Sequence, residues 1–525
     1  MKHLIKILPI KPLIVCLLNC FYTFSYSQEI GNPMIRNYTA QEYNNSPQVM
    51  SVIKDNRGVM YFGVETGIME YDGVSWRLIP VDQQSRPYDF AMDKKGRIYV
   101  GASKEIGYLA IDNKGNTIYK SLTHLIKDTL FVLSTTYTVR ITSKYVYFST
   151  NEAVLQYNPE ENLISLFKAK TGDIFDESFV VQDIYYILSR NNILKLENNS
   201  LVPLKQKKIA FGTTTIYDSC SVLGMTADNL YSFQPNMNTE AAIFKLSSND
   251  FITNNRIYCS SSFLNKYFII GSLNKGAMLF DKTGSVLQQY NESNLLQNNF
   301  VIDIAHDKNE NLWFGLSNGI SKTEHSLDLS YWDKNSGLKD AVTSVIRFNN
   351  TIYISTLSGV YYIDTTNQIK EIENIPKKPN WCFLEDKNTQ TLLCGTSNGI
   401  YEIKEFKAKE IISDLDAFFL FQSNKNPDRI YSTNNYSFIS LKYTNGKWIN
   451  EGEWEGIYDK NRAIIEDKNG DIWLTAYRSG IIRITPDFDN ITKPKKVRYY
   501  KENNGLPDLK SNIPFYLQDK IIWGT

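Results

Sequence analysis

The sequence predicts an all-β chain built from one repeated sheet unit, and two observations carry that prediction. Residues 301–322, VIDIAHDKNENLWFGLSNGISK, alternate apolar and polar positions, turn at Asp307, run through Leu312-Trp313-Phe314-Gly315 and turn again at Asn318-Gly319. Alternation over four to eight residues between turn signals is strand chemistry. The same pattern recurs at residues 49–73, VMSVIKDNRGVMYFGVETGIMEYDG, and at residues 462–486, RAIIEDKNGDIWLTAYRSGIIRITP.

A chain of 525 residues exceeds what one core supports, so two domains or a repeat array are expected. Its composition, 42% hydrophobic and 22% charged, is that of a globular protein, and a formal net charge of +1 gives no general attraction to nucleic acid or anionic membrane. Aromatic residues make up 13%, which suits sheet cores and surfaces that bind sugars or peptides.

The first 27 residues read as a secretory signal: Lys2, Lys6 and Lys11, an apolar run at 13–18, and Ser25-Tyr26-Ser27 before a cleavage point at Gln28. Of 6 Cys, Cys16 and Cys20 leave with that segment. Cys382 and Cys394 flank one predicted turn and are either a cross-hairpin disulfide or two buried thiols. Cys220 and Cys259 complete the set, and the spacings fit no zinc pattern.

Strand-turn-strand units begin near Val49, Tyr88, Thr136, Phe179, Thr215, Arg256, Val301, Val342, Trp381, Ala417, Arg462 and Ile513. A period of about 40 residues is that of a four-stranded β-propeller blade. Most units place an aromatic two residues before a small residue, as in Tyr61/Gly63, Tyr99/Gly101, Trp313/Gly315, Tyr353/Ser355 and Trp473/Thr475. The small residue lets neighbouring sheets approach, and the aromatic fills the gap. Counting places a seven-bladed first propeller over 28–338 and a second, incomplete one over 339–525. DKIIWGT at 519–525 reads as the second strand of a twelfth blade, so the second ring cannot close and the chain is expected to be part of a longer protein.

The repeats at 464–484 and 52–73 resemble the two-component-regulator propeller repeat of Bacteroidetes periplasmic sensors, and NPMIRNYTAQEYNNSPQ (32–48), YDGVSWRLI (71–79) and EIGYLAID (105–112) look like one subgroup. The resemblance spans 32–525. It implies two consecutive propellers, then an all-β triple-tyrosine domain, one membrane helix and a cytoplasmic output of kinase, phosphatase, cyclase or DNA-binding type. It further implies an exported, periplasmic sensor region, anchored in the inner membrane through a helix beyond this chain, with an oligosaccharide or other small molecule as ligand. Dimerisation is one way in which such a receptor would pass its signal on.

Several motifs have plainer readings. Gly315-Leu-Ser317-Asn-Gly319 and Gly395-Thr-Ser397-Asn-Gly399 match the hydrolase pattern G-x-S-x-G, but recurrence between two strands marks them as hairpin turns. The Asp-x-x-Gly loops at Asp55, Asp93 and Asp467 resemble pieces of calcium loops and read instead as Asp-capped turns. The 4 His (His3, His124, His306, His325) lie at no ligand spacing, so neither metal nor cofactor is expected. KPKKVRYYK at 493–501 reads as a solvated outer strand, not a nucleic-acid patch.

Candidate ligand residues come from blades that break the repeat. The usual turn takes six steps from Trp313 to Gly319, against seven from Trp473 to Gly480, adding Tyr477 and Arg478, and eight from Tyr99 to Gly107, adding Lys104 and Glu105. Loops leading into blades on the same face carry Arg86, Tyr88, Trp381, Tyr458 and Arg462. Aromatic plates with Arg donors suit sugar rings or acidic saccharides. Lys104-Glu105 also adjoins the subgroup-like Gly107-Tyr108-Leu109, which offers a structural reading. The leading expectation is therefore a non-catalytic ligand-sensing region of a membrane signalling receptor. The alternative is a secreted propeller serving as a glycan-binding, adhesion or scaffold module. A polysaccharide-active enzyme would require a clustered acid/base pair that the sequence does not display.

Overall fold

The computed structural model describes residues 31–524 except 191, 205–210, 238–239, 254, 265, 325–329, 335, 366, 435 and 518–519; the expected signal at 1–27 lies outside the described residues. The chain divides into two compact units, Asn32–Tyr331 and a second beginning at Trp332.

Among its described residues the first unit holds seven four-stranded antiparallel sheets. Their first strands are Ser51–Lys54, Pro87–Met92, Thr138–Ile141, Phe175–Val181, Thr213–Ile216, Ile257–Phe263 and Val301–His306. These strands touch one another in that order, and Val301–His306 returns to touch Ser51–Lys54, so the seven sheets form a closed ring about an axis. Each second strand has a neighbouring sheet on both faces, which is why Met60–Val64, Ile98–Ala102, Val146–Ser149 and Leu312–Leu316 are buried throughout. The outer strand Leu163–Lys168 alternates between exposed and half-buried positions.

The small residues sit where the sheets come closest. A methyl group on Gly101 would lie 2.6 Å from Thr136 Cγ2 and 2.8 Å from Val139 Cγ2 of the next sheet. One on Gly315 would meet Val52 Cγ2 at 2.9 Å, across the junction between the seventh sheet and the first. The aromatics two residues earlier, Tyr61, Tyr99 and Trp313, are buried between the sheets. The Asp turns cap themselves: Asp55 Oδ1 accepts the N–H groups of Arg57 and Val59 at 2.8 and 3.0 Å, and Asp467 Oδ1 those of Asn469 and Asp471 at 2.9 and 3.0 Å. The other oxygen of Asp307 and of Asp467 takes the indole N–H of Trp313 or Trp473, at 3.1 and 3.0 Å, tying each turn to its wedge aromatic.

Ring closure uses the start of the unit. Ile35–Tyr38 pairs antiparallel with Ile320–Thr323, from Ile35 opposite Thr323 to Tyr38 opposite Ile320, and becomes the fourth strand of the seventh sheet. The sequence pattern did not mark this segment as a strand of the last sheet. Tyr38 then stacks on Trp313 at 5.6 Å and meets Tyr71 and Trp76 edge-on at 5.5 Å each, so residues from both ends of the ring share one aromatic cluster.

Among the described residues of the second unit, four four-stranded sheets begin at Val342–Phe348, Asn380–Asp386, Phe419–Gln422 and Asn461–Glu466, followed by the pair Ile513–Leu517 and Lys520–Gly524. Lys496–Tyr500, within the KPKKVRYYK stretch, is an outer strand. Cys382 pairs opposite Gly395 while Cys394 pairs opposite Phe383, which places the two thiols on opposite faces of their sheet. Both are free and buried, so the thiol reading holds and the disulfide does not.

Truncating Tyr38 to Ala empties the shared cluster. The 32–331 unit is expected to lose about 3–5 kcal/mol of unfolding free energy in chemical denaturation. A loss below about 1 kcal/mol would show that closure does not rest on this ring.

Candidate ligand-binding site

A cavity of about 760 Å³ opens on the axis of the first unit. Its wall comes from the leading ends of the first strands, among them Tyr88, Asp89, Tyr137, Thr138, Arg256, Tyr258 and Asp303, and from Asn151 and Leu273 in turns between second and third strands. Loops leading into the sheets and those turns therefore share one face.

Several wall residues occupy one repeated position, the first-strand residue paired opposite the small residue of the second strand; in the first sheet that position is Ser51, with Met50 beside it lining the cavity. Ser51 stands opposite Gly63, Asp89 opposite Gly101, Thr138 opposite Ser149, Cys259 opposite Gly271 and Asp303 opposite Gly315. A β-bulge precedes Asp89, Cys259 and Asp303, a device that re-aims side chains and bends a strand. Polar side chains at this level link one sheet to the next. Asp303 Oδ2 accepts the Val52 N–H at 2.7 Å, Asp89 Oδ2 accepts the Val139 N–H at 2.7 Å, and Thr138 and Ser178 share a hydroxyl contact of 2.5 Å.

Arg140 organises one side of the cavity. Its Nη1 reaches Asp89 Oδ2 at 2.7 Å, its Nη2 reaches Glu177 Oε1 at 2.9 Å, and its Nε donates to the Ser178 carbonyl at 2.8 Å, so one guanidinium spans three sheets. Burial works against its charge, but Asp89 and Glu177 outweigh that and hold it protonated. Burial also raises the Asp89 and Glu177 carboxyls above the usual range, with Arg140 opposing the rise. Asp303 is pushed up to about 6, first by burial and then by the charge of Asp89, against the lowering effect of the Val52 and Ile304 N–H groups and the Ser51 hydroxyl. Burial likewise raises the Cys259 thiol, which stays neutral. Tyr88 and Tyr137 meet edge-on at 5.7 Å, and Tyr137 and Tyr258 keep 45% and 44% of their surface exposed, enough for a ligand to cover.

Among the residues expected from sequence, Tyr88 lines this cavity. Arg86 braces its loop, with Nη1 on Gln48 Oε1 at 3.1 Å and Nη2 on Glu65 Oε1 at 3.3 Å. Lys104 is exposed at a turn with φ of 59°. Glu105 points inward: its Oε1 takes the hydroxyls of Tyr119 at 3.2 Å and of Ser121 and Thr123 at 2.5 Å each, holding the second sheet together away from the cavity. That is the structural reading of Lys104-Glu105.

The remaining candidates belong to the second unit. Trp381 donates its indole N–H to Asp416 Oδ1 at 2.8 Å and packs on Phe418. Tyr458 is 73% exposed. Arg462 lies over the Tyr477 ring at 5.0 Å, and Lys510, which the repeat comparison did not single out, over the same ring at 5.1 Å. The Arg478 N–H is held by Asp459 Oδ2 at 3.0 Å. Arg462, Tyr477 and Arg478 are thus brought together, on a different sheet from Trp381.

Sequence reasoning missed Asp89, Tyr137, Arg140, Glu177, Tyr258 and Asp303. A signal existed for two of them: the residue twelve positions before the small residue is Ser51 ahead of Gly63, but Asp89 ahead of Gly101 and Asp303 ahead of Gly315. In the first motif turn Ser317 Oγ donates to Asn298 Oδ1 at 2.7 Å, and Gly319 turns at a φ of 91°. Among the described residues no group of three or more His, Cys, Asp or Glu is placed to hold a metal ion, and no helix is long and apolar enough to cross a membrane.

No protein-family model and no curated protein matches the chain. Among solved structures, it is similar to the extracellular domain assigned to a hybrid two-component system of B. thetaiotaomicron, with a TM-score of 0.68 and 17% identity over 92% of this chain and 68% of that one. The chain has the β-propeller fold. The extracellular domain assigned to a one-component system of the same organism follows at a TM-score of 0.45 and 14% identity, over 93% of this chain and 70% of that one. Virginiamycin B lyase from Staphylococcus aureus covers 55% of this chain with 98% of its own length, at 12% identity and a TM-score of 0.43. At such identities the likeness is one of propeller architecture, and what the axial cavity does rests on its own residues.

Folded Asp303 holds its proton up to about pH 6 against an ordinary value of 3.8. Between these values the folded state binds more protons than the unfolded one, so the stability Asp303 confers is full on the acid side and is lost as pH rises through the window. The melting temperature of the unchanged protein minus that of Asp303→Asn is expected to fall as pH is raised from 4 to 7. A difference that stays flat would refute the raised carboxyl.

Proposed function

We propose that the chain is the exported, non-catalytic ligand-receiving region of a membrane signalling receptor, and that the axial cavity of its first propeller takes a saccharide. The observation that carries this reading is the make-up of the cavity wall. Arg140 holds the Asp89 and Glu177 carboxylates in place, and their remaining acceptor directions suit sugar hydroxyls. Tyr88, Tyr137 and Tyr258 supply faces for the C–H side of a sugar ring. The hydroxyls of Thr138 and Ser260 on the same wall add adaptable partners.

A saccharide seated on the axis touches several first strands at once. Its binding energy then favours one spacing of the sheets over another, and a ring of packed sheets passes such a bias outward as a shift in population. The cationic plate of Arg462, Tyr477 and Lys510 in the second unit is a subsidiary surface suited to the acidic groups of a longer glycan. Anchoring by a membrane helix outside this chain, pairing of two receptor copies, and a cytoplasmic output complete the proposal.

Calorimetric titration of the full chain against a panel of neutral, acidic and amino oligosaccharides tests it. At least one class is expected to bind, and Tyr137→Ala and Tyr258→Ala are each expected to weaken that binding about tenfold or more. Binding lost in Tyr477→Ala but kept in both cavity variants would move the site to the second unit. Absence of binding across the panel would reject a saccharide ligand.

A further inference from the structure

The carboxylates of the axial cavity are unequally supplied with positive charge. Arg140 serves both Asp89 and Glu177, at 2.7 and 2.9 Å. Asp303 has no Lys, Arg or His within 4.0 Å among the described residues; Arg256 lines the same cavity but stands farther off than that. Each Asp303 oxygen takes one backbone N–H, from Val52 at 2.7 Å and from Ile304 at 2.8 Å. A carboxylate has about four acceptor directions, and the Ser51 hydroxyl also stands beside this one, so about one remains for a ligand. The titratable groups facing it from neighbouring first strands are Asp89, Cys259 and Tyr258. None of the three brings a positive charge, and the first repels a second negative one.

The other side of the cavity favours the same kind of visitor. Tyr88, Tyr137 and Tyr258 line it, and the electron-rich face of a tyrosine attracts a cation as well as the apolar face of a sugar. A neutral hydroxyl on Asp303 makes an ordinary hydrogen bond there. An ammonium makes a charge-assisted one, and supplies the positive charge that the fold leaves out at this position.

We propose that the axial cavity selects a saccharide bearing a free primary amine, with the ammonium on Asp303 and the sugar ring between the tyrosines. This rests on the saccharide reading above and narrows it to amino sugars. N-acetylation removes the charge and adds bulk, so it abolishes the preference. Asp303 is half-protonated near pH 6 in the empty cavity, and an arriving ammonium expels that proton.

Calorimetry of the full chain with glucosamine, glucose and N-acetylglucosamine at neutral pH decides the matter. Glucosamine is expected to bind about tenfold tighter than the other two or better, and Asp303→Asn to shrink that preference to about threefold or less. Should Asp303→Asn fail to fold, the unchanged protein still provides the test. At pH 6, in buffers of different ionisation enthalpy, glucosamine is expected to release about half a proton per site and glucose none. Glucose or N-acetylglucosamine binding as tightly as glucosamine overturns the amine preference and leaves the saccharide site standing. Glucosamine preference without proton release, or unchanged in Asp303→Asn, removes Asp303 from it. No binding by any of the three overturns the amine preference, while the saccharide reading stands or falls on the oligosaccharide panel.

Discussion

Everything in the first unit depends on closing a ring of sheets at one seam. A row of stacked sheets has two raw ends, each with an unpaired strand edge and an uncovered apolar face. Here both ends are consumed at once. Ile35–Tyr38 completes the hydrogen bonding of the seventh sheet, and its final residue drops into the aromatic cluster that Trp313 shares with Tyr71 and Trp76 of the first. Residues nearly 300 positions apart in sequence thus form one layer of the core, between Asn37 and Ser321, whose hydroxyl donates to Asn37 Oδ1 across a separation of 284 residues. Closure also decides where seven first strands meet, and the axial cavity is the space they leave.

Asp303 joins the seam to the cavity. Its Oδ2 takes the Val52 N–H across the junction of the seventh and first sheets, while its carboxyl faces the axis. An apolar residue or a serine at this position would avoid the cost of a buried charge, and the first sheet does carry Ser51 there. Keeping a carboxylate without a cation partner is a local conflict of the kind that concentrates at functional positions. On the opposite side, Arg140 resolves the same problem internally by bridging Asp89 and Glu177. One wall is electrostatically finished and the other is left for a ligand to finish.

Much of the fold was legible along the chain because its rules are local. Apolar alternation, Asp-capped turns with glycine at positive φ, and an aromatic two places before a small residue each depend on a few neighbouring residues, and they repeat. The small residues at Gly101 and Gly315 could be read as points of close approach, since nothing larger fits beside the next sheet. Recurrence likewise unmasked the two G-x-S-x-G stretches as turns. Irregular loops drew attention to Glu105, whose carboxylate the structure fills with the hydroxyls of Tyr119 and Ser121 of its own sheet and of Thr123 just after it.

The sequence, then, decides the sheet unit, its period and its turns, because hydrophobic alternation and turn chemistry act over fewer than ten residues or so. Tertiary structure alone decides which ends meet and which polar side chains share an axis. Arg140 and Glu177 lie 37 positions apart, and Arg140 and Asp89 lie 51 apart, without any spacing rule to couple them. Tyr258 reaches the same cavity from a third part of the chain. Those contacts exist because a closed ring brings the leading ends of seven distant strands to one point, and no local pattern encodes a meeting point that only closure creates.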